Sequence, residues 1–341
     1  VEGLPDSLVA MIGRKAENIE VKKKKFVYSK NFDKPQWVYL CDLKVIKSGV
    51  FQANRVFAIP GETIEMKGNF TEGVDIKGGK FYQEQDLMNE YKGQAYKDIK
   101  ALRKWYSDNV NDSNRDSIEK VVDERMEPLQ KKYAADLLAY AKQHSGQECI
   151  ALLIDELDDV KDKETLISLM ADNVKNGRMK AYYEPIFESA KKRAEMEEKA
   201  KVVQASGVEA PDFTLNDING KPFSLSSLRG KYVVIDFWGS WCIWCIKGMP
   251  KMKEYYEKYK GKFEILGVDC NDTEAKWKAA VEKHQLPWIH VYNPKGSDVL
   301  GKYAIQGFPT KIVVGPDGKI VKTIVGEDPA FYTLLDEVLG K

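Results

Sequence analysis

The stretch that decides the fold is residues 236–250, DFWGSWCIWCIKGMP, which places two of the five cysteines three positions apart. A buried, strand-like run (232–238) leads into it, and a helical pattern follows. Cys242 therefore falls at a helix start, where free backbone N–H groups and the helix dipole favour a thiolate. Cys245 lies one turn further on. We predict that Cys242 is exposed and attacks a partner's disulfide, and that Cys245, beneath it, resolves the mixed disulfide.

Besides a redox pair, two cysteines at this spacing are compatible with a structural zinc site or with simple core packing. Zinc needs four ligands, but Cys41, Cys149 and Cys270 are scattered singly and the three histidines form no close-spaced pair. Core packing explains the apolar neighbours but not the position between strand and helix. The sequence therefore favours a redox pair, with no metal and no cofactor.

The residues around the pair predict an α/β domain over 206–341. Two more strands (263–269 and 288–292), a helix between them (274–284), a hairpin around residues 316–318 and a closing helix follow in order. Parallel central strands joined by helices, with a hairpin at one side, predict a mixed central sheet flanked by helices.

Segment 233–250 resembles the active-site segment of thioredoxins. With the opening APDFTLNDINGKPFSLSSLRGKYV (210–233), the region is more similar to TlpA/ResA-like thiol–disulfide oxidoreductases of the AhpC/TSA and redoxin type. The resemblance implies a thioredoxin fold and makes Cys242 and Cys245 catalytic. It also implies that Asp236 is the buried acid that helps the deeper thiol lose its proton, although a structural polar residue at the strand end would look the same.

The same resemblance assigns a substrate-binding surface beside the cysteines. Pro309, in GFPT (307–310), matches the family's cis-proline, and Phe308 would offer its backbone to a substrate peptide as an extra strand. Trp241 and Trp244 would contact substrate. For Trp244 the alternative role, a simple cover over the disulfide, stays open. One departure stands out, because Gly248 occupies a position where ResA-like reductases carry a glutamate.

The predicted function is reduction of protein disulfides in the periplasm or cell envelope. A lipid anchor on the protein would be consistent with that location. Electrons would come from a membrane donor of the DsbD/CcdA type. The direction follows from the residues between the cysteines, since Ile243 and Trp244 bring no charge to stabilise a thiolate as a histidine would. A disulfide oxidase or isomerase, and a non-enzymatic partner-binding module with a redox switch, remain as alternatives.

The rest of the chain predicts a multidomain α+β protein. Residues 1–83 are rich in short strands, and FAIPGETIEMKGNF (57–70) resembles the DUF4369 domain of Bacteroidetes proteins, whose first strand would then precede Val1. Residues 84–205 show helical spacing and predict a helical connector. Lys plus Arg (53) nearly balances Asp plus Glu (52), which gives no electrostatic reason to bind nucleic acid. No run approaches the roughly 20 apolar residues of a membrane span.

Overall fold

The structure is a computed structural model that describes residues 1–47, 52–91, 93–111 and 113–340. The chain divides into two compact units, Val1–Lys191 and Lys192–Lys341. Within the described residues, every helix is too short or too polar to cross a membrane. The predicted three-part division, with boundaries after residues 83 and 205, stays a prediction.

The first unit begins with antiparallel strands. A four-stranded sheet has the order β2-β1-β5-β6, and β3-β4 and β7-β8 form two-stranded ribbons. Val56 and Phe57 are neighbours on β6 but face opposite sides, because side chains alternate along a strand. Val56 packs into the core of the sheet, and Phe57 packs among helical residues. The strands are β1 (Leu8–Ile12), β2 (Lys15–Asn18), β3 (Val21–Lys22), β4 (Lys25–Phe26), β5 (Gln36–Asp42), β6 (Ala53–Ala58), β7 (Glu65–Asn69) and β8 (Gly73–Lys77).

Helices make up most of the remainder of this unit, as the spacing predicts. They are α1 (Leu43–Lys47), α2 (Lys80–Glu90), α3 (Gly93–Asn109), α4 (Arg115–Gln143), α5 (Val160–Leu169), α6 (Asp172–Lys175) and the first part of α7 (Lys180–Val203), which runs on past Lys191 into the second unit, with a 3-10 helix at Glu148–Asp155. One prediction is wrong at its edge. The run GVDIKGGKFY (73–82) predicts β structure throughout, whereas its last three residues begin α2, and Phe81 and Tyr82 are buried on that helix.

The second unit is built on a seven-stranded mixed sheet of order β10-β9-β13-β12-β11-β14-β15. The three central strands β11, β12 and β13 are parallel, and the other neighbours are antiparallel. The strands are β9 (Thr214–Asp217), β10 (Pro222–Ser224), β11 (Tyr232–Trp238), β12 (Phe263–Asp269), β13 (Ile289–Tyr292), β14 (Thr310–Val314) and β15 (Ile320–Val325).

Helices cover this sheet and divide its core into two layers. They are α8 (Ile243–Lys258), α9 (Glu274–Lys283), α10 (Val299–Lys302) and α11 (Ala330–Leu339), with a 3-10 helix at Leu225–Leu228. Along β11, Val234 and Trp238 pack in the layer that contains both cysteines of the pair, whereas Ile235 and Phe237 pack in the other layer. The predicted order of strands, helices and hairpin is confirmed, as is the α+β class of the whole chain.

Candidate active site

The cysteine pair lies at the junction of β11 and α8, as predicted. Cys242 is the N-cap of α8, with an extended backbone (φ −86°, ψ 100°), and its Sγ accepts a hydrogen bond from the backbone N–H of Cys245 at 3.1 Å. The two cysteines form a disulfide with an S–S distance of 2.08 Å. A sulfur in the N-cap position takes the place usually filled by a serine or aspartate oxygen, and the same N–H and helix dipole would favour its thiolate after reduction.

The exposure of the pair differs from the prediction. Cys242 is 5% exposed and Cys245 is 4% exposed, so the expectation of an exposed first thiol is wrong for the disulfide form. The Cys242 sulfur turns toward Cys245 and joins an apolar cluster with Trp238. Solvent instead meets Trp241, Ile243 and Trp244, which are 52%, 62% and 58% exposed. We call these three side chains, which are next to the two cysteines in sequence, the apolar rim.

Hydrogen bonds hold the loop that carries the first cysteine. Ser240 donates from its backbone N and its hydroxyl to the two carboxylate oxygens of Asp272, at 2.6 and 2.7 Å. The Trp241 indole donates to the carbonyl of Cys270 at 2.9 Å. Gly239 is required beside them, because a Cβ there would lie 2.4 Å from that indole nitrogen. These contacts join residues 32 and 29 positions apart, and no local sequence pattern predicts them.

The GFPT segment lies beside this loop. The Phe308–Pro309 peptide bond is cis, and the Phe308 ring packs edge-on against Trp241 with ring centroids 5.4 Å apart. Trp244 is covered on one face by Lys247, whose Nζ lies 4.5 Å from the ring centroid. The segment is thus close to the redox pair, while the substrate-binding roles of Trp241, Trp244, Phe308 and Pro309 stay predictions.

Asp236 lies in the core on the disulfide side of the sheet. It is two residues from both Val234 and Trp238 on β11, so its side chain lies on the same face of the strand and points to the layer that contains the cysteines. It is 5% exposed, and within the described part of the chain its Oδ1 has no hydrogen-bond partner. Burial raises the pKa of Asp236 to about 6; Lys311 opposes this shift and Glu327 adds to it. A carboxyl with a pKa of about 6 can exchange protons near neutral pH.

Lys311 and Glu327 are absent from the residues that the sequence predicts for the site. The signal for Lys311 was available, since a lysine two residues after Pro309 interrupts a run of apolar residues that is typical of a buried strand. Its side chain is 2% exposed. Glu327 carries no such signal, because it stands in an ordinary turn sequence and contacts Lys311 only in the folded domain.

The other three cysteines are free and buried, which confirms the prediction of single thiols over a second disulfide. Burial raises the pKa of all three, to about 12 for Cys149. Among the described residues, no group of three or more His, Cys, Asp or Glu side chains is arranged to hold a metal ion.

We expect iodoacetamide at about pH 7.5 to modify the reduced, native protein at Cys242 first and to leave Cys41, Cys149 and Cys270 unmodified. These three are buried and protonated at that pH, and a thiol reacts as its thiolate. Intact mass should show at most two adducts without denaturant and five after unfolding. A third adduct forming in the native protein as fast as the first would contradict the assignment.

Comparison with known proteins covers this domain. Residues 206–323 match the AhpC/TSA family. The thiol–disulfide oxidoreductase ResA of Bacillus cereus is 42% identical over 122 residues, 36% of this chain and 70% of the relative. ResA of Bacillus subtilis is 33% identical over 123 residues, which are 36% of this chain and 68% of the relative. The solved thioredoxin domain of a Bacteroides vulgatus thiol–disulfide oxidoreductase is 37% identical and covers 40% of this chain and 98% of its own, with a TM-score of 0.38.

The DUF4369 resemblance of residues 1–83 lies outside the matched range and stays a prediction. The match does include β11, the loop, both cysteines and Pro309. With 42% identity over 70% of a curated relative, the chain belongs, through this thioredoxin-fold domain, to the ResA-type thiol–disulfide oxidoreductases.

Proposed function

We propose that the chain is a protein-disulfide reductase of the periplasm or cell envelope. The observation that carries the proposal is the position of the Cys242 sulfur, which caps α8 and accepts the N–H of Cys245 at 3.1 Å. On reduction this N–H and the helix dipole stabilise a thiolate at Cys242 and not at Cys245. Cys242 is therefore the attacking thiol and Cys245 the resolving one.

The reaction transfers two electrons from the cysteine pair to a substrate disulfide. The Cys242 thiolate attacks one substrate sulfur, forms a mixed disulfide and releases the other sulfur as a thiolate, which takes a proton from solvent. Cys245 then gives its proton to the Asp236 carboxylate and attacks the Cys242 sulfur. The second substrate sulfur leaves as a thiolate and is protonated, while Cys242 and Cys245 close their disulfide.

The apolar rim supports a protein substrate. Trp241, Ile243 and Trp244 expose large apolar surfaces around a disulfide that is itself covered, and such patches mark binding surfaces. With Phe308 packed against Trp241, an extended substrate segment could lie across the rim and pair with the backbone at Phe308. Small thiols gain nothing from this surface.

The residues between the cysteines support the reducing direction. A strong oxidant holds its pair reduced by stabilising the thiolate, and Ile243 and Trp244 supply no charge for that purpose. Such a pair returns to the dithiol only with an electron donor. We infer a membrane donor of the DsbD/CcdA type, which would re-reduce the pair between substrates.

Insulin reduction with dithiothreitol, together with the reduction potential of the pair, tests this function. We expect turnover and a potential more reducing than about −200 mV. The chain with both Cys242 and Cys245 replaced by serine is the control and should show only the background rate. A potential near about −120 mV, which is the value of a strong oxidase, would reverse the direction. A disulfide that forms but never turns over would favour a redox switch.

A further inference from the structure

A buried ionic cluster lies on the disulfide side of the sheet. The Lys311 Nζ is 3.0 Å from Glu327 Oε2 and 4.0 Å from Asp236 Oδ1, so two carboxylates share one buried ammonium. Lys311 is opposite Asp236 in the β11–β14 pairing, and both side chains point to the layer that holds the cysteines. The shorter distance belongs to Glu327, which is therefore the principal partner of the lysine.

Glu327 reaches this place because Gly248 has no side chain. A Cβ at Gly248 would lie 2.2 Å from Glu327 Oε2, so the carboxylate occupies the space that a side chain on α8 would fill. Gly248 is three residues after Cys245, which is less than one helical turn. The Tyr332 hydroxyl donates to the other carboxylate oxygen of Glu327 at 3.0 Å and fixes its orientation. A group from beyond β15 thus sits against the first turns of the redox helix.

The titratable groups that influence Asp236 electrostatically come from four parts of the domain. They are Lys311 on β14, Glu327 after β15, Tyr332 on α11 and Cys270 after β12. Burial raises the pKa of both Tyr332 and Cys270, so these two are neutral near pH 7. The two charges that then oppose one another at Asp236 are the lysine, which favours its carboxylate, and the glutamate, which favours its protonated form.

We propose that Glu327 is a positioning residue for the redox step: by binding Lys311, it prevents that cation from neutralising Asp236 and leaves Asp236 able to accept the proton of Cys245. This rests on the proposed function. Without Glu327, Lys311 would pair with Asp236 alone and hold it as a carboxylate too weakly basic to accept a thiol proton. Without Lys311, Asp236 would retain its proton and could not act as a base.

The test uses two substitutions that should act in opposite directions. Glu327→Gln keeps an acceptor for the Tyr332 hydroxyl but removes the charge, and should lower the midpoint of the Asp236 titration by about one pH unit. Lys311→Met removes the cation and should raise it. The titration is followed by carboxyl ¹³C NMR in the oxidised chain, and the pH profile of mixed-disulfide release should move in the same direction as the titration for each variant. A merely structural role would not move the two midpoints apart.

Controls separate charge from folding. Glu337→Gln removes an equally negative side chain that is exposed on α11, and should move neither the titration nor the release profile. Lys311→Arg keeps the cation and should show the wild-type midpoint of the Asp236 titration. This variant is measured at position 311 if Lys311→Met unfolds the domain. Equal or same-direction shifts in Glu327→Gln and Lys311→Met would overturn the proposal, and so would a shifted titration with an unshifted release profile. Insulin turnover by the unsubstituted chain decides the proposed function separately, because the titration needs no substrate.

Discussion

A chain with Cys245 replaced by serine is expected to stop at the mixed disulfide, whereas one with Cys242 replaced by serine is expected to lose disulfide reduction outright. Cys245→Ser keeps the capping sulfur and its N–H partner, so the attacking thiolate survives without a resolving partner. Cys242→Ser removes the nucleophile, and turnover should fall on the order of 10³-fold or more. The adducts are counted by non-reducing electrophoresis and mass spectrometry after incubation with disulfide-bonded insulin.

The two variants serve as controls for each other, since each removes one sulfur from the same buried pair. With Cys41, Cys149 and Cys270 buried, every adduct of Cys245→Ser should map to Cys242. Capture by Cys242→Ser alone would reverse the roles of the two thiols. If neither variant captures a disulfide substrate, the reductase proposal fails. Repeating the capture in a native cell envelope would identify the protein substrates.

Asp236→Asn is expected to slow release of mixed disulfides by about 10²-fold at neutral pH, because the amide keeps the shape of the carboxyl but cannot accept a proton. The same substitution should stabilise the fold. Lys311 retains its 3.0 Å contact with Glu327, so no buried cation is left unpaired. A slower and more stable protein is the combination that a catalytic carboxyl predicts, whereas a purely structural residue would give a normal rate and a less stable protein.

The stability gain should depend on pH. Below the ordinary value of 3.8, the Asp236 carboxyl is protonated in both folded and unfolded chains, and the variant gains nothing. Between pH 3.8 and about 6 the unfolded chain loses the proton first, so ionisation favours unfolding. Above about pH 6 the free energy of unfolding of the wild type has fallen by the full amount, about 3 kcal/mol for a pKa difference of roughly two units. Urea unfolding of both proteins at about pH 4 and about pH 7.5 measures this, and an equal difference at both pH values would contradict it.

The parts of the site that depend on neighbours in sequence were predictable. The strand, the cysteine pair and α8 follow one another without a break, and the run from residue 310 to 325 contains its own hairpin turn. The parts that depend on long-range packing were not. The burial of Cys242 results from a layer that includes Trp238 and Met249, and the first turn of α2 forms because Phe81 and Tyr82 have helical residues to pack against.

Glu327 illustrates why the chemistry beneath the disulfide could not be predicted. Gly248 departs visibly from the ResA-like pattern, and in sequence it implies a missing acid. The folded domain supplies an acid to that space from Glu327, far along the chain, through a contact that no local pattern encodes. The buried Lys311 was visible in sequence, but its two partners were not.

The disulfide of this chain closes a ring between cysteines only three positions apart. Loop-closure entropy rises with ring size, and a ring this small restricts the unfolded chain by about 2 kcal/mol at most. We therefore expect the apolar layers on both faces of the sheet to hold the domain together in the reduced state as well as in the disulfide form. A bond that contributes so little to folding can be opened and closed without unfolding the domain, as repeated electron transfer by the proposed reductase would require.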